Sequence, residues 1–342
     1  MASSLPTPSA SAPSSPRPTS KPILWIPTVL HPVALKIAEE YFEILDWTDT
    51  RASEWYKYAT ASVVTVGRLS REDVERADKL KIVTRNGVGY DSVPIESCRK
   101  QGIVVTNQPG CNATVVAEIA LGLAISVARK IAQADRKLRS GEPTISAHYI
   151  SDGLDGKTLG LIGQGDIARA TAKKFYGAFD TPILVYSPTS SKVKWTDQDP
   201  SGLPPIPHRR VDTLEELLKA SDVVSIHCPK NDETTGLIGE KELKAMKKTA
   251  IILNTARGGI IDESALFAAL ESREIAGAGL DVVDHEPPSL STCKLLHLPH
   301  TIVLPHIGAQ EDTSQKNACV VAVETAISYL KGEGIGKSVR VV

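Results

Sequence analysis

The sequence predicts an α/β protein built from two doubly wound parallel-sheet domains. Short apolar runs of strand length alternate with helical patterns along most of the chain. One such run, Thr158–Ile162, leads directly into a glycine turn and a helix. The chain has 342 residues, which is long enough for two domains. Alternating strands and helices favour parallel sheets that carry helices on both faces.

Residues 1–20 consist mainly of Ser, Pro and Ala with a single Arg17, and we expect a disordered tail. The tail is rich in Ser and poor in acids, as transit peptides are, but it lacks their arginines and amphipathic pattern. No signal-peptide apolar region follows. The five cysteines are widely spaced without a C-x-x-C pair, so we expect neither disulfides nor a metal site. These features predict a cytoplasmic protein.

The bulk composition excludes two classes of partner. The formal net charge is −1 and basic residues are scattered, so no nucleic-acid or membrane-surface partner is expected. The longest apolar stretch, Val115–Ala128, is interrupted by Glu118 and is too short to cross a bilayer.

The first third of the chain alternates strand and helix patterns. Two helices are predicted at Pro32–Tyr41 and Arg71–Ala77, and one long helix at Asn112–Ser140. The predicted strands are Ile23–Ile26, Phe42–Leu45, Val63–Val66, Lys81–Val83 and Ile103–Val105.

The remaining chain predicts a second sheet that begins at the glycine turn. A helix follows the turn from Asp166, and Thr213 with Glu216 forms a capping box for the helix Leu214–Ala220. The six predicted strands are Thr158–Ile162, Pro182–Tyr186, Asp222–Ile226, Ala250–Asn254, Gly277–Leu280 and Thr301–Leu304.

The last helix, Asp312–Lys331, is amphipathic, and we expect it to return to the first domain. The substrate domain would then comprise residues 21–120 plus 305–342. The dinucleotide-binding domain, residues 121–304, would be inserted into it. The predicted architecture is a Rossmann cofactor domain within a flavodoxin-like substrate domain.

The turn after Thr158–Ile162 has the dinucleotide-binding pattern G-x-G-x-x-G/A, with Gly163, Gly165 and Ala168. Its glycines allow a tight turn and a close approach of backbone to a ligand. The free N–H groups and the dipole at the start of the helix favour a pyrophosphate. The predicted contacts are Gly163, Gln164, Gly165, Asp166 and Ile167.

The choice between NAD and NADP is read at the end of the second strand of this domain. Enzymes that use NAD keep an acid there for the ribose 2′-hydroxyl. This chain has Ser187 instead, 24 residues after Gly163, followed by Thr189 and Lys192. Hydroxyls and a lysine suit a 2′-phosphate, so we expect NADP to be preferred over NAD.

Three side chains that carry chemistry follow three neighbouring strands of the second sheet. Arg257 follows the fourth strand, Glu286 the fifth and His306 the sixth. Ligands of open parallel sheets bind at the carboxyl ends of strands. His300 lies in a similar Leu-Pro-His context but precedes its strand, which places it at the opposite end.

This set of residues suits the reduction of a 2-oxo acid. Arginine can bind a carboxylate through two parallel hydrogen bonds. A protonated histidine can donate to the oxygen that becomes negative as hydride reaches the carbonyl carbon. A carboxylate partner orients the ring and favours the imidazolium. We therefore expect Arg257 to bind the substrate, and His306 and Glu286 to act as an acid–base pair.

Over nearly all of residues 22–335 the chain resembles the D-isomer-specific 2-hydroxyacid dehydrogenase family. Arg257 and Glu286 are 29 residues apart, as in that family. The matching segments are Arg85-Asn-Gly-Val-Gly-Tyr-Asp91, the turn at Gly163, His227-Cys228-Pro229 with Thr234, Asn254-Thr-Ala-Arg257-Gly, Asp281-Val-Val-Asp-His-Glu286-Pro and Pro305-His306-Ile-Gly308.

The resemblance implies roles for further residues. The N–H groups of Val88 and Gly89 would hold the substrate carboxylate together with Arg257. Asp281, Thr255 and Ala256 would line the nicotinamide. Further cofactor contacts would come from Cys228, Pro229, Thr234, His306 and Gly308. The family also implies a homodimer built around the long helix and an arm near residues 141–155.

The substrate remains open between several 2-oxo acids. Glyoxylate or hydroxypyruvate is the default expectation. The alternatives are a phosphoglycerate dehydrogenase-like activity, which the lack of a following regulatory domain disfavours, and reduction of aryl or branched 2-oxo acids. Gly67, Arg68 and Tyr90 are expected in the pocket wall. A different class, a transcriptional co-repressor that senses NAD(H), shares the same fold.

Overall fold

A computed structural model describes residues 21–65 and 67–342 of the protein. The predicted tail, residues 1–20, and Val66 of the third predicted strand lie outside this range. The strands are β1 (Ile23–Ile26), β2 (Glu43–Asp46), β3 (Ala61–Val64), β4 (Ile82–Arg85), β5 (Val104–Asn107), β6 (Leu159–Ile162), β7 (Ile183–Tyr186), β8 (Arg209–Arg210), β9 (Val223–Ile226), β10 (Ile251–Asn254), β11 (Gly277–Leu280), β12 (Thr301–Val303) and β13 (Val339–Arg340).

Helices of very different length connect these strands. Three short 3₁₀ helices cover Ala52–Lys57, Ser146–Tyr149 and Lys294–His297. The α-helices are α1 (Pro32–Tyr41), α2 (Arg71–Glu75), α3 (Ile95–Lys100), α4 (Ala113–Ala128), α5 (Ile131–Arg139), α6 (Asp166–Phe179), α7 (Leu214–Ala220), α8 (Glu240–Ala245), α9 (Glu263–Glu271) and α10 (Asp312–Leu330). Within the range that the structure covers, none of these helices is long and apolar enough to cross a membrane.

The first sheet has the strand order β2-β1-β3-β4-β5-β13. Its first five strands are parallel, and their order 2-1-3-4-5 is that of flavodoxin-like folds. The short C-terminal strand β13 is antiparallel to β5, with Val339 opposite Asn107. The predicted flavodoxin-like α/β sheet is confirmed, with one added edge strand.

The second sheet has the order β8-β7-β6-β9-β10-β11-β12, and all its strands are parallel. Counted from β6, this is the order 3-2-1-4-5-6 of dinucleotide-binding folds with one further strand. The order reverses between β6 and β9, next to the turn at Gly163. The predicted Rossmann fold is confirmed. The proposed domain limits near residues 120 and 304 remain predictions.

The two longest helices each pack on a sheet. Helix α10 lies against β3 and β4, where Ala322, Val323 and Ala326 are fully buried. Helix α4 lies against β10 and β11. A Cβ at Gly279 would come within 2.9 Å of the Leu123 Cβ atom, so the glycine lets α4 approach β11 closely. Each buried leucine or isoleucine stabilises such contacts by about 1.5–3 kcal/mol.

The prediction of one long helix over Asn112–Ser140 is wrong. Helix α4 ends at Ala128, and α5 begins at Ile131 after Lys130 adopts a left-handed conformation with φ 55°. The Lys130 ammonium donates to the Ile150 carbonyl at 2.7 Å, a contact 20 residues away that no local pattern reveals. The strands β8 and β13 were also missed, because two residues are too few to show periodicity. Other predicted limits differ by one or two residues.

Candidate active site

The carboxyl ends of the second sheet bring the predicted site residues to one edge. The turn at Gly163 follows β6, and Arg257 follows β10. Asp281 follows β11, and His306 follows β12. Because these strands are parallel, their carboxyl ends meet, and the segments after them form a continuous rim.

The turn after β6 has the geometry of an anion site. Gly163 has φ +105°, and a Cβ there would lie 2.7 Å from the His227 carbonyl oxygen. Gly165 is the N-cap residue of α6, and no side chain caps the N–H groups at the start of this helix. A Cβ at Gly165 would meet no atom within 4 Å, so the start of α6 faces open space. The residues present therefore fit the pyrophosphate of a dinucleotide.

The segment after β9 closes one side of this turn. Burial lowers the pKa of His227 to about 3, and its Nε2 atom lies 2.8 Å from the Ser225 hydroxyl. Burial raises the pKa of the Cys228 thiol to about 11, so it carries no charge at neutral pH. The Thr234 hydroxyl donates to the Pro229 carbonyl at 2.6 Å and fixes the segment. The His227 ring and the Cys228 thiol are therefore both uncharged at neutral pH.

Arg257 reaches from the second sheet to the loop after β4. Its Nε donates to the Asp91 carboxylate at 2.7 Å, and its Nη1 donates to the Ala256 carbonyl at 2.7 Å. Its Nη2 lies so close to Gly89 that a Cβ there would be only 1.5 Å away. The guanidinium therefore lies against the loop that carries Val88 and Gly89, as a shared carboxylate site requires.

Asn254 shapes the segment that carries Arg257. Its amide donates to the Arg257 carbonyl at 2.8 Å, and its side-chain oxygen accepts from the Ala256 N–H at 3.0 Å. The neighbouring Thr255 hydroxyl is buried and has no hydrogen-bond partner among residues 21–65 and 67–342. A buried hydroxyl without a partner is suited to a bound ligand.

A second arginine and a carboxylate share this loop. Arg85 Nη1 donates to the Val64 carbonyl at 3.1 Å and to the Asn86 carbonyl. Its Nε is buried without a partner among the residues described. Burial and the charge of Arg257 lower the pKa of Arg85 to about 10, so it stays cationic at neutral pH. Burial works to raise the pKa of Asp91, but Arg257 and Arg85 bring it below its usual value.

His306 and Glu286 form the predicted pair. The ring Nδ1 lies 2.9 Å from Glu286 Oε2, which leaves Nε2 for another partner. The second Glu286 oxygen accepts from the Val283 N–H at 3.4 Å. Burial works to raise the pKa of Glu286, but the hydrogen bond and charge of His306 and the charge of Arg257 hold it below its usual value. Glu286 is therefore held in its carboxylate form next to the His306 ring.

Asp281 holds the loop that carries His306. Its two carboxylate oxygens accept the N–H groups of Ile307 and Gly308, each at 2.8 Å. Its backbone carbonyl accepts from the His306 N–H at 2.9 Å, and His306 has a left-handed φ of 57°. A Cβ at Gly308 would be 2.6 Å from the Asp281 carboxylate, so glycine is required there. Burial raises the pKa of Asp281. Its predicted nicotinamide contact remains a prediction.

The turn after β7 contains the predicted Ser187, Thr189 and Lys192. The Ser187 and Ser190 hydroxyls are 2.7 Å apart. Sequence reasoning missed Arg210 in β8, whose guanidinium donates to the Ser190 and Ser191 carbonyls at 3.3 and 3.1 Å. It also missed the roles of Arg85 and Asp91, although both lie in a segment that matched the family. Arg210 left no local signal, because β8 is distant in sequence from the turn.

His300 lies outside this group. Its Nε2 is 3.0 Å from the Leu270 carbonyl at the opposite, amino end of β12. Across the residues that the structure covers, no group of three or more metal-ligating side chains is suited to hold a metal ion.

Comparisons with known proteins agree with this geometry. The family model for the NAD-binding domain of D-isomer-specific 2-hydroxyacid dehydrogenases matches residues 121–308. The glyoxylate reductase of Thermococcus litoralis is 38% identical over 92% of this chain and 95% of its own length. The D-3-phosphoglycerate dehydrogenase of Methanocaldococcus jannaschii is 37% identical over 89% of this chain, which spans 56% of that protein.

A solved structure gives a similar result. The NADPH-dependent glyoxylate/hydroxypyruvate reductase of Sinorhizobium meliloti, solved with NADP and malonate, superimposes with a TM-score of 0.79. The two sequences are 27% identical, and the alignment covers 94% of this chain and 97% of the other.

The loop with His306 is expected to depend on the Asp281 carboxylate. Asp281→Asn leaves an amide that accepts one N–H group and turns a donor toward the other. The free energy of unfolding should fall by about 1–3 kcal/mol, measured in denaturant, because a buried N–H loses its acceptor.

Asp284→Asn, three residues later and exposed, is the matched control. It should change the free energy of unfolding by less than about 0.5 kcal/mol. Equal stability of Asp281→Asn and the wild type would show that the loop does not depend on this carboxylate.

Proposed function

The chain belongs to the D-isomer-specific 2-hydroxyacid dehydrogenase family, and from this premise we propose that it reduces glyoxylate or hydroxypyruvate with NADPH. It is an NAD(P)-dependent oxidoreductase that converts a 2-oxo acid to a D-2-hydroxy acid. The observation that carries the proposal is the meeting of Arg257, Glu286 and His306 beside the Gly163 turn.

The substrate carboxylate is bound where the two sheets meet. Arg257 Nη2 lies beside Gly89, and its Nε is occupied by Asp91. The carboxylate would accept from Nη2 and from the N–H groups of Val88 and Gly89. Because Asp91 and the Ala256 carbonyl hold the guanidinium in place, little side-chain entropy is lost when the carboxylate binds.

His306 supplies the proton. When bound, a nicotinamide would supply the hydride to the carbonyl carbon of the substrate. The carbonyl oxygen would then gain negative charge and take a proton from His306 Nε2, which leaves a neutral ring and a hydroxy acid. Glu286 accepts from Nδ1 and orients the ring for this transfer. In the opposite direction the same nitrogen removes the hydroxyl proton.

Arg85 supports a second candidate, a 2-oxo acid with a second anionic group. Its Nε has no partner in the described part of the chain, and Asp91 already pairs with Arg257. Arg85 is therefore a cation beside the carboxylate site without an ion-pair partner of its own. A phosphorylated 2-oxo acid, as in the phosphoglycerate dehydrogenase alternative, would match it.

Turnover of a panel of 2-oxo acids, followed as loss of NADPH absorbance, tests the proposed activity. Glyoxylate and hydroxypyruvate should be reduced, and phenylpyruvate more slowly. Arg257→Ala should raise KM by about 10–100-fold through loss of charged hydrogen bonds. His306→Ala should lower kcat by about 10²–10⁴-fold through loss of the proton donor.

His300→Ala is the matched control for His306→Ala and should retain wild-type kcat. A wild-type kcat in His306→Ala, with chemistry rate-limiting, would show that another group donates the proton. A kcat/KM for 3-phosphohydroxypyruvate at least tenfold above that for hydroxypyruvate, reversed in Arg85→Met, would favour the second candidate.

The preference for NADPH is supported by the turn after β7. Ser187 occupies the position where NAD enzymes keep an acid, and it is buried next to Ser190. Lys192 in the same turn is exposed. A carboxylate here would repel a 2′-phosphate, whereas hydroxyls and a cation attract it.

The ratio of kcat/KM for NADPH to that for NADH measures this preference, and in the wild type it should exceed 1. Ser187→Asp should lower the ratio by about tenfold or more, since it adds the missing acid. Ser187→Asn has nearly the same shape without the charge and should change it little. A wild-type preference for NADH would contradict the assignment.

A homodimer is proposed from the exposed apolar surface of the arm, defined as α5 and residues 140–155. No residue of α5 is buried. Ile131, Leu138, Ile145 and Ile150 are between 51% and 81% exposed. An apolar groove of about 590 Å³ between α4 and α6 lies on the same domain. Several exposed apolar side chains within one segment are typical of interfaces.

Light scattering should give a mass of about twice the 36.7 kDa of one chain. The double substitution Leu138→Asp, Ile150→Asp should produce monomers, because it places charges in the buried core of the interface. Leu203→Asp, at an exposed leucine outside the arm, is the control and should leave the dimer intact. A monomeric wild type would exclude the dimer.

A cytoplasmic location is supported by the cysteines. All five are free in the structure, and three of them, Cys98, Cys293 and Cys319, are buried. Free thiols are typical of reducing compartments.

A further inference from the structure

The segment between β7 and β8, residues 187–208, is held in place by hydrogen bonds and by packing of its side chains. Trp195 anchors it with 1% exposure and a left-handed φ of 67°. The Trp195 N–H donates to the Asp199 carboxylate at 2.7 Å, and its carbonyl accepts from the Ile206 N–H at 3.0 Å. Its ring also packs edge to face on His208, at 5.5 Å between centroids. These contacts fix the middle of the segment at Trp195 and its end at Ile206 and His208.

Arg210, in β8, holds the turn at the start of this segment through side-chain hydrogen bonds. Its Nη2 donates to the carbonyls of Ser187 and Ser190, and its Nη1 to the carbonyl of Ser191. Three carbonyls of one turn thus converge on a single guanidinium. Four of its N–H groups are used, because Nη1 also donates to the Gln164 side chain.

Backbone N–H groups of the same turn are available to bind a ligand. Among the residues described, the backbone N–H groups of Ser191 and Lys192 have no hydrogen-bond partner. In a trans peptide the N–H points away from the carbonyl, so the carbonyls of Ser190 and Ser191 that bind Arg210 turn these two N–H groups away from it. The Ser187 carbonyl precedes Pro188, which has no N–H. Successive free N–H groups of this kind form a concave site for an anion.

Gln164 links this turn to the turn that fits the pyrophosphate. It lies between Gly163 and Gly165 and is 2% exposed. Its amide donates to the Lys194 carbonyl at 3.1 Å, and its side-chain oxygen accepts from Arg210. Arg210 therefore fixes the position of the β7 turn relative to the dinucleotide turn, on which the distance from pyrophosphate to ribose depends.

We propose that Arg210 is the positioning residue that makes this chain selective for a cofactor with a 2′-phosphate. It holds the carbonyls of Ser190 and Ser191 and so presents the N–H groups of Ser191 and Lys192 to the phosphate. Its charge, close behind the turn, adds attraction for a dianion. This inference rests on the proposed preference for NADPH and names the residue that produces it.

Arg209 provides an internal control. It is adjacent in the same short strand, but its Nη1 donates to the Glu216 carboxylate at 2.6 Å. Both side chains of this ion pair are exposed, at 60% and 42%. Loss of Arg209 removes the same charge from the domain without touching the β7 turn.

The test is calorimetric titration of the full chain with 2′,5′-ADP and with 5′-AMP, which differ only in the 2′-phosphate. Arg210→Met should weaken 2′,5′-ADP binding by about tenfold or more, the loss expected for one charged contact. Binding of 5′-AMP should change by less than about twofold. Arg209→Met should leave both affinities unchanged.

Arg210→Lys separates charge from geometry. Lysine keeps the charge but lacks the planar guanidinium that can donate to several acceptors at once. Compared with Arg210→Met, Arg210→Lys should therefore regain part of the 2′,5′-ADP affinity at low salt. At high salt this gain should disappear, because salt screens the charge. If Arg210→Met has a lower melting temperature than the wild type, Arg210→Lys provides the test instead. In that variant the ratio of the 2′,5′-ADP affinity to the 5′-AMP affinity should fall below that of the wild type.

Two results would overturn the role of Arg210. If Arg210→Met loses affinity for 2′,5′-ADP and 5′-AMP to the same extent, Arg210 has only a structural role. If the variant keeps both affinities, Arg210 has no role in binding. In either case the wild type would still prefer 2′,5′-ADP, and the proposed NADPH preference would stand. A wild type that binds both probes equally would overturn the preference and the inference together.

Discussion

The chemistry that we propose for this protein depends on the contact that Arg257 makes across two sheets. Its guanidinium leaves the carboxyl end of β10, pairs with Asp91 at 2.7 Å and lies against Gly89 in the loop after β4. Two long helices make this contact possible. Helix α4 starts after the first sheet and packs on β10 and β11, whereas α10 starts after the second sheet and packs on β3 and β4. The chain thus passes between the sheets twice, and each passage is held by buried apolar surface.

Burial sorts the groups at this edge into charged and neutral ones. Burial keeps the His227 ring and the Cys228 thiol neutral. Glu286 and Asp91 are also partly buried, but His306 and Arg257 lower the pKa of Glu286, and Arg257 and Arg85 lower the pKa of Asp91. The neutral groups after β9 and the ionised carboxylates near Arg257 follow from the same physical rule.

The sequence was sufficient to predict the fold and to name the residues that follow its strands, because both leave local signals; the catalytic roles of those residues remain predictions. Each parallel strand buried on two faces is a short apolar run, and the residues after β10, β11 and β12 are read directly from the order of those runs. What could not be predicted depends on distant partners. The Lys130 ammonium donates to the Ile150 carbonyl, 20 residues further along the chain, and the Arg210 guanidinium donates to the Ser187 carbonyl, 23 residues earlier. No periodicity or spacing in the chain encodes either contact.

The two sheets contribute unequally to the two binding sites. Gly163, Gln164, Ser187 and Arg210 all belong to the second sheet, and hydrogen bonds within that sheet fix their mutual positions. Arg257 instead comes from one sheet and the loop of Val88 and Gly89 from the other. A small rotation between the sheets would change the distance from Arg257 to Gly89 while leaving the geometry from Gly163 to Arg210 intact. The cofactor selection that we propose is therefore a property of one sheet, and the recognition of the 2-oxo acid that we propose is a property of how two sheets meet.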